Sequence, residues 1–280
     1  MRNYSRYKFG KIIDTHITAL SFDETVAELE QWVEKKEKQY VCICNTHSLV
    51  TASNDGYFQE VLNHAGICTP DGMPLVWGLR AYGYSQQNRV DGPNLMLRMC
   101  QLSEQKKYGI FLYGGSEQTL NELKEQLHRL YPSVNIVGAY SPPFRTLTQE
   151  EDERVVEMLN QSQADFIFVG LGCPKQEIWM YEHRNRINSV MIGVGAAFDF
   201  VAGKIKRPPL FVQKSGFEWL FRLISEPRRL WKRYAYNNPL YIYRFFKSYR
   251  RNKKYTNVSN GFAVGGMPVP AMDSRQEGFN

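Results

Sequence analysis

A chain of 280 residues that is 43% apolar can bury a substantial core, and its 35 Lys/Arg against 28 Asp/Glu leave a net charge of +7. No run of 18 apolar residues occurs, which argues against a membrane-spanning helix, and the basic start MRNYSRYKFGK lacks the apolar core of a secretory signal. The charge is lopsided: residues 204–254 carry a net +13 and residues 1–203 a net −5, so a mildly acidic body precedes a basic segment suited to a phosphate-bearing partner, whether membrane surface, nucleic acid or phosphorylated substrate.

Strand-like and helix-like segments alternate along the body. IIDTHI (12–17) reads as a hairpin or edge strand. Residues 22–38 form an amphipathic helix with Ser21 as N-cap and Glu24 completing a capping box. YVCIC (40–44) is a strand, THSLVTASND (46–55) begins a helix, and AGICT (65–69) is a strand that stops at Pro70-Asp71-Gly72. Helices follow over 73–81 and from Pro93 into the low hundreds. Then come strand 108–115, helix 116–131, strand 134–140, helix 148–162, strand 165–172, helix 174–186 and strand 189–200. Apolar runs rather than alternating strands predict an α/β fold: a Rossmann-like, mainly parallel sheet with helices on both faces.

After Gly203 the composition shifts. Prolines at 208, 209, 227 and 239 predict short helices in a basic, aromatic appendage over 204–254, and the Gly/Asn/Ser/Pro-rich stretch 255–280 is expected to be disordered. The cysteines Cys42, Cys44, Cys68, Cys100 and Cys173 are odd in number and lack CxxC spacing, which suggests reduced thiols in a cytosolic protein rather than a metal site.

Ligands of open parallel sheets sit at the carboxyl ends of the strands. Four such ends share a style here: Asn45-Thr46-His47, Pro70-Asp71-Gly72, Gly114-Gly115-Ser116 and Gly170-Leu171-Gly172. Each glycine serves either a tight turn or the close approach of a phosphate or sugar to the backbone. Asp71 is either an N-cap for the next helix or an acid–base group. Asn45 and Thr46 either cap a helix or contact a sugar. Arg89 either clamps a phosphate or is an exposed loop arginine, and Gln176, in a helix's first turn with no capping need, is placed to hydrogen-bond a base or sugar. Gly193-Val194-Gly195 is only half a dinucleotide fingerprint, and no GxxxxGK[ST] loop occurs.

The ordered series NTHSLV, TPDGMPLVWGLR, RVDGPNL, FLYGG, GLGCPKQEIW, GVGAAFDFVAGKIKRPP and GFEWLFRLISEPRRLWKRY resembles the WecG/TagA/CpsF glycosyltransferases over about residues 10–235. The resemblance implies inverting transfer of a sugar from a UDP-linked donor, with glucose and N-acetylmannosamine the leading options. The acceptor it implies is a saccharide on a polyprenyl pyrophosphate, in surface-polysaccharide synthesis on the inner face of the plasma membrane. It also implies no bound metal, no cofactor and self-association. By motif, Asp71 matches the general base, Asn45 and Arg89 positions near acceptor and donor, and Gln176 a donor-binding residue. Arg222, Arg228, Arg229 and Arg233 match a basic appendage that closes over the site and meets the membrane. Some relatives carry a threonine two residues before the asparagine, where this chain has Ile43.

The residues suit that chemistry. With no D-x-D for a metal, positive charge for a departing diphosphate must come from Arg, Lys and helix N-termini. The stripe Phe217, Trp219, Phe221, Trp231, Tyr234, Tyr241, Tyr243, Phe245 and Phe246, interleaved with Arg and Lys, suits a membrane interface, although some of it must pack the appendage onto the body. A nucleic-acid-binding protein is the rival from another class, but no helix-turn-helix, zinc-finger or RNP-type pattern supports it. An NAD-dependent oxidoreductase lacks its GxGxxG and downstream acid.

Overall fold

The computed structural model describes residues 6–205, 208, 209, 212 and 218–259. The chain opens with an antiparallel hairpin, β1 (Phe9–Ile12) and β2 (Thr15–Thr18), in which Phe9 pairs with Thr18 and Ile12 with Thr15. Its turn residues Ile13 and Asp14 both have positive φ, 47° and 61°, as a two-residue loop that follows the twist of its strands requires. A β-branched residue is strained there, and burial of the Ile13 side chain offsets the strain.

Six further strands, β3 (Tyr40–Cys44), β4 (Ile67–Pro70), β5 (Ile110–Gly114), β6 (Ile136–Tyr140), β7 (Phe166–Gly170) and β8 (Val190–Gly193), form one sheet in the order β4-β3-β8-β7-β5-β6. Every pairing in it is parallel. Helices cover both faces, which is why β3 and β5 are buried along their whole length and read as unbroken apolar runs. One face is packed by α2 (Thr46–Ala52), α3 (Gly56–His64), α7 (Gln149–Gln161) and α8 (Lys175–His183), through Leu49, Phe58, Leu62, Leu159 and Met180. The other is packed by α1 (Phe22–Glu34), α5 (Gly92–Lys106) and α6 (Glu117–Leu130), through Leu29, Met96, Leu120 and Leu123. Each such side chain stabilises the fold by roughly 1.5–3 kcal/mol. The expected α/β fold with helices on both faces is the one observed.

Capping residues fix several helix starts. Ser21 accepts from Glu24 N at 3.2 Å and donates its backbone N–H to Glu24 Oε2 at 2.7 Å, and Thr148 with Glu151 repeats the box on α7. Three elements differ from expectation. Residues 46–55 are not one helix: α2 ends at Ala52, and Asp55 accepts from Tyr57 N and Phe58 N to start α3. The strand expected to reach residue 200 stops at Gly193, and α9 (Ala197–Val201) follows. The appendage comprises α10 (Glu218–Ser225) and α11 (Pro227–Ser259), with Pro239 inside α11 rather than ending it. Burial of Leu230 and Tyr241 against the body offsets the cost of that proline. Residues 255–259, assigned by composition to the tail, belong to α11; residues 260–280 lie outside the described residues.

The helices after β5 and β7 lie on opposite faces, so a switch of chain direction falls between these neighbouring strands. Beneath that rim, on α8, lies a buried acid. Glu177 is 1% exposed; its Oε1 accepts from Gln176 Nε2 at 2.9 Å, while Oε2 has no partner among the described residues. Burial raises its pKa from 4.5 to about 7. The folded protein thus keeps a proton that the unfolded chain loses above about pH 4.5, so Glu177 reduces stability progressively from there to about pH 7, by about 3 kcal/mol in all. Glu177→Gln is expected to melt above the wild type at pH 8 and to lose that advantage by pH 4. Calorimetry at both values tests it, and an equal gain at both would contradict it.

Candidate active site

Asp71 leaves the end of β4, where its N–H donates to Cys44 O at 2.8 Å. The next helix, α4 (Met73–Ala81), has Gly72 as its N-cap and no side-chain cap bond, so the capping reading of Asp71 fails. Its Oδ1 instead accepts from Arg89 Nε at 3.0 Å and Nη2 at 2.7 Å. No protein group bonds Oδ2 among the described residues, and the side chain remains 23% exposed.

Arg89 does not stand free as a loop cation. Its Nη1 donates to Glu218 Oε2 at the start of α10, so one guanidinium joins a body carboxylate to an appendage carboxylate. Burial works against its charge, but Asp71, Glu218 and Asp91 outweigh burial and raise its pKa, keeping it protonated. Asn45, on the neighbouring strand end, lies so near that a Cβ on Gly72 would sit 3.7 Å from its own Cβ. Asn45 caps α2, accepting through Oδ1 from His47 N at 3.0 Å and Ser48 N at 3.3 Å, which leaves its amide N–H groups unbonded among the described residues. Thr46 Oγ1 meets Asn238 Oδ1 of α11 at 3.5 Å. His47 is pushed down to about 4 by burial and then by Arg233, so it is neutral at physiological pH.

The appendage lies across this strand end. Tyr241 OH donates to Pro74 O at 3.0 Å, and Arg244 bonds Ser53. Arg222 sits 5.2 Å from the Phe200 ring, with its Nε buried and unpartnered among the described residues. Arg233 bears on His47, Cys173 and Tyr234. Arg228 is exposed, and the Arg229 side chain lies outside the described ones. Tyr234 lies within the fields of Arg222, Arg233, Glu218 and Asp71, with burial raising its phenol. Neither Tyr234 nor Glu218 was singled out from the sequence as a site residue. For Glu218 the available signal was an acid in a strongly basic segment.

The glycine rim divides into two kinds. A Cβ on Gly114 would lie 2.7 Å from the Gly170 carbonyl, and one on Gly170 would lie 2.6 Å from the Phe198 ring, so packing alone requires both glycines. Gly115 donates to Gly170 O at 3.1 Å. Gly172, at φ +79°, needs no side chain for conformational reasons and has nothing within 4 Å of where a Cβ would stand, so open space lies beside its backbone. Gln176 does not extend into that space. Pro174, the N-cap of α8, offers no capping side chain, and Gln176, 4% exposed, turns back to accept from Gly172 N at 3.2 Å.

Asp71, Arg89 and Asn45 therefore gather with Arg222, Arg233, Tyr234 and Glu218 at the β4–β3 end, and the glycines line the β7–β5 end. Gln176 lies between, 3.1 and 3.2 Å from where Cβ atoms on Gly193 and Gly195 would be. A carboxylate with one free oxygen beside several cations suits proton removal next to a departing anion.

Among known proteins, the chain is 28% identical to an N-acetylglucosaminyldiphosphoundecaprenol N-acetyl-beta-D-mannosaminyltransferase of Bacillus spizizenii, over 86% of this chain and 90% of that protein. It is also 28% identical to the protein of the same name from Staphylococcus aureus strain MW2, over 77% of this chain and 82% of that one. The sequence model of the glycosyl transferase WecG/TagA/CpsF family matches residues 10–255, nearly the whole body and appendage, and the chain belongs to that family of glycosyltransferases.

Proposed function

We propose that the protein transfers N-acetylmannosamine, or a related hexose, from a UDP-linked donor to an N-acetylglucosamine-type sugar on a polyprenyl diphosphate, with inversion at the anomeric carbon. The observation that carries the reading is Asp71: one carboxylate oxygen is held by Arg89 and the other is free at a strand's carboxyl end, in a chain whose relatives are named for this transfer. Asp71 Oδ2 takes the proton of the acceptor hydroxyl as its oxygen bonds the anomeric carbon. The bond from that carbon to the diphosphate oxygen breaks on the opposite face, and the electron pair leaves on the nucleotide. Arg222, with an unpaired Nε, and Arg233 supply charge for the departing diphosphate. The free amide of Asn45 reaches a sugar hydroxyl, and open backbone at Gly172 admits the nucleotide, with Gln176 holding that loop in shape.

The acceptor's lipid places the reaction at a membrane surface. On α11 one face, with Leu230, Tyr241 and Ser248, is buried on the body. The other exposes Trp231, Tyr236, Ile242, Tyr243 and Phe246 beside Lys232, Lys247 and Arg250. Of the aromatic stripe expected to meet lipid, Tyr241 and Phe245 thus pack inward, and Phe217 lies outside the described residues. Among the described residues no helix is long and apolar enough to cross a membrane. An anionic surface would attract each basic residue by about 1 kcal/mol, and peripheral attachment at the inner leaflet follows from this reading.

In a transfer assay offering UDP-N-acetylmannosamine or UDP-glucose with polyprenyl-diphosphoryl N-acetylglucosamine, one donor is expected to react. Asp71→Asn should lower kcat at least about a hundredfold; an undiminished rate would remove Asp71 from the chemistry. Replacing Trp231, Tyr243 and Phe246 together with serine should weaken cosedimentation with anionic vesicles while leaving the melting temperature near that of the wild type. Unchanged vesicle binding would contradict the membrane assignment.

A further inference from the structure

Arg89 is one cation shared by two carboxylates, and the second of them comes from the appendage. The three side chains are only 18–23% exposed, so their charges interact more strongly than they would in water. Asp71 is the proposed base, and a carboxylate tied to an undivided guanidinium is a poor one, because the cation stabilises the form without the proton. Glu218 divides that cation. We propose that Glu218 is a positioning residue for the transfer: from α10 it holds Arg89 Nη1 and draws guanidinium charge away from Asp71, so that Asp71 accepts a proton more readily while the appendage is docked. This rests on the reading of Asp71 as the general base.

The sign follows from the groups that face Asp71 on every element packed around it. Arg89, from the segment before α5, pairs with Asp71 itself and feels Asp91 and Glu218 as well. Tyr234 of α11 feels Asp71 and Glu218 together with Arg222 of α10 and Arg233 of α11, so these are the charges that share Asp71's neighbours. In Glu218→Gln all the cations stay and one anion is lost, so the local balance moves only towards positive. Glutamine keeps an oxygen for Arg89 Nη1, which separates charge from contact; Glu218→Asp keeps the charge on a shorter arm. A helix-terminal acid could also serve only the dipole of α10. In that case its loss would loosen the appendage without changing how Asp71 titrates.

The test measures kcat against pH for wild type, Glu218→Gln and Glu218→Asp, together with the carbon-13 carboxyl resonance of Asp71, assigned by its loss in Asp71→Asn. In Glu218→Gln the acidic limb of the profile and the Asp71 titration should both move down by about one pH unit. On the plateau kcat should fall about tenfold, a fraction of the full general-base contribution. Glu218→Asp should stay within about threefold of wild type. A slower Glu218→Gln with limb and resonance unmoved would overturn the proposal and leave a docking contact. If wild type transferred from no donor, the functional reading would fall, yet the resonance alone would still decide the coupling: a shift supports it and its absence refutes it.

Discussion

The ion triad Asp71–Arg89–Glu218 is the interaction on which the arrangement of the site depends. A buried guanidinium is tolerated only when paired, and here each of its two partners belongs to a different part of the chain. Pairing therefore fixes the start of α10 against the end of β4, and α11 follows from there, laying Thr46, His47 and Ser53 under its inner face. Arg222, Arg233 and Tyr234 reach the site as a consequence. Without Glu218 the arginine would still hold Asp71, but the appendage would lose its ion pair beside Asp71, keeping that of Arg251 with Asp14 in the β1–β2 turn.

Much of the architecture was legible because it is local. Ser21 with Glu24, Thr148 with Glu151 and Ser116 before α6 each announce a helix within four residues, and the apolar runs of β3, β5 and β7 announce strands covered on both faces. The same locality explains the misreadings. Ser53 and Asn54 look like a helix tail until Asp55 is seen to start another helix. Pro239 should break a helix on local grounds, and only the burial of distant neighbours on the body overrides it. Asp71 was legible as a candidate acid, but setting aside its capping reading needed the start of α4 at Gly72, and its partner Arg89 lies eighteen residues away. Glu218 stood out only as an acid in a basic segment; its pairing was not legible, since the partner lies 129 residues distant and no periodicity links them.

The two kinds of glycine show why a motif of such residues resists interpretation from sequence. Gly114 and Gly170 exist because two parallel strands and the Phe198 ring crowd one another, and any ligand is irrelevant to that need. Gly172 is required by its backbone angle and borders open space, so it alone of the three leaves room for something from outside. Gln176 is similarly double: its polarity suggested a reader of ligand, while its hydrogen bond to Gly172 N makes it a brace for the loop that a ligand would meet.

The long sequence separation within the triad has a consequence for how the protein comes into being. Chains grow at about 5–20 residues per second and their domains fold as units, N-terminal parts first. The 129 residues between Arg89 and Glu218 therefore correspond to roughly 6 to 26 s of synthesis. During that interval the sheet can close and bring Arg89 onto Asp71, with the second carboxylate not yet made. A nascent chain thus holds a folded body with an unfinished site, and the last charge of the triad arrives together with the helices that carry its cations. The second carboxylate and the helices bearing Arg222 and Arg233 are thus made only after the body that receives them.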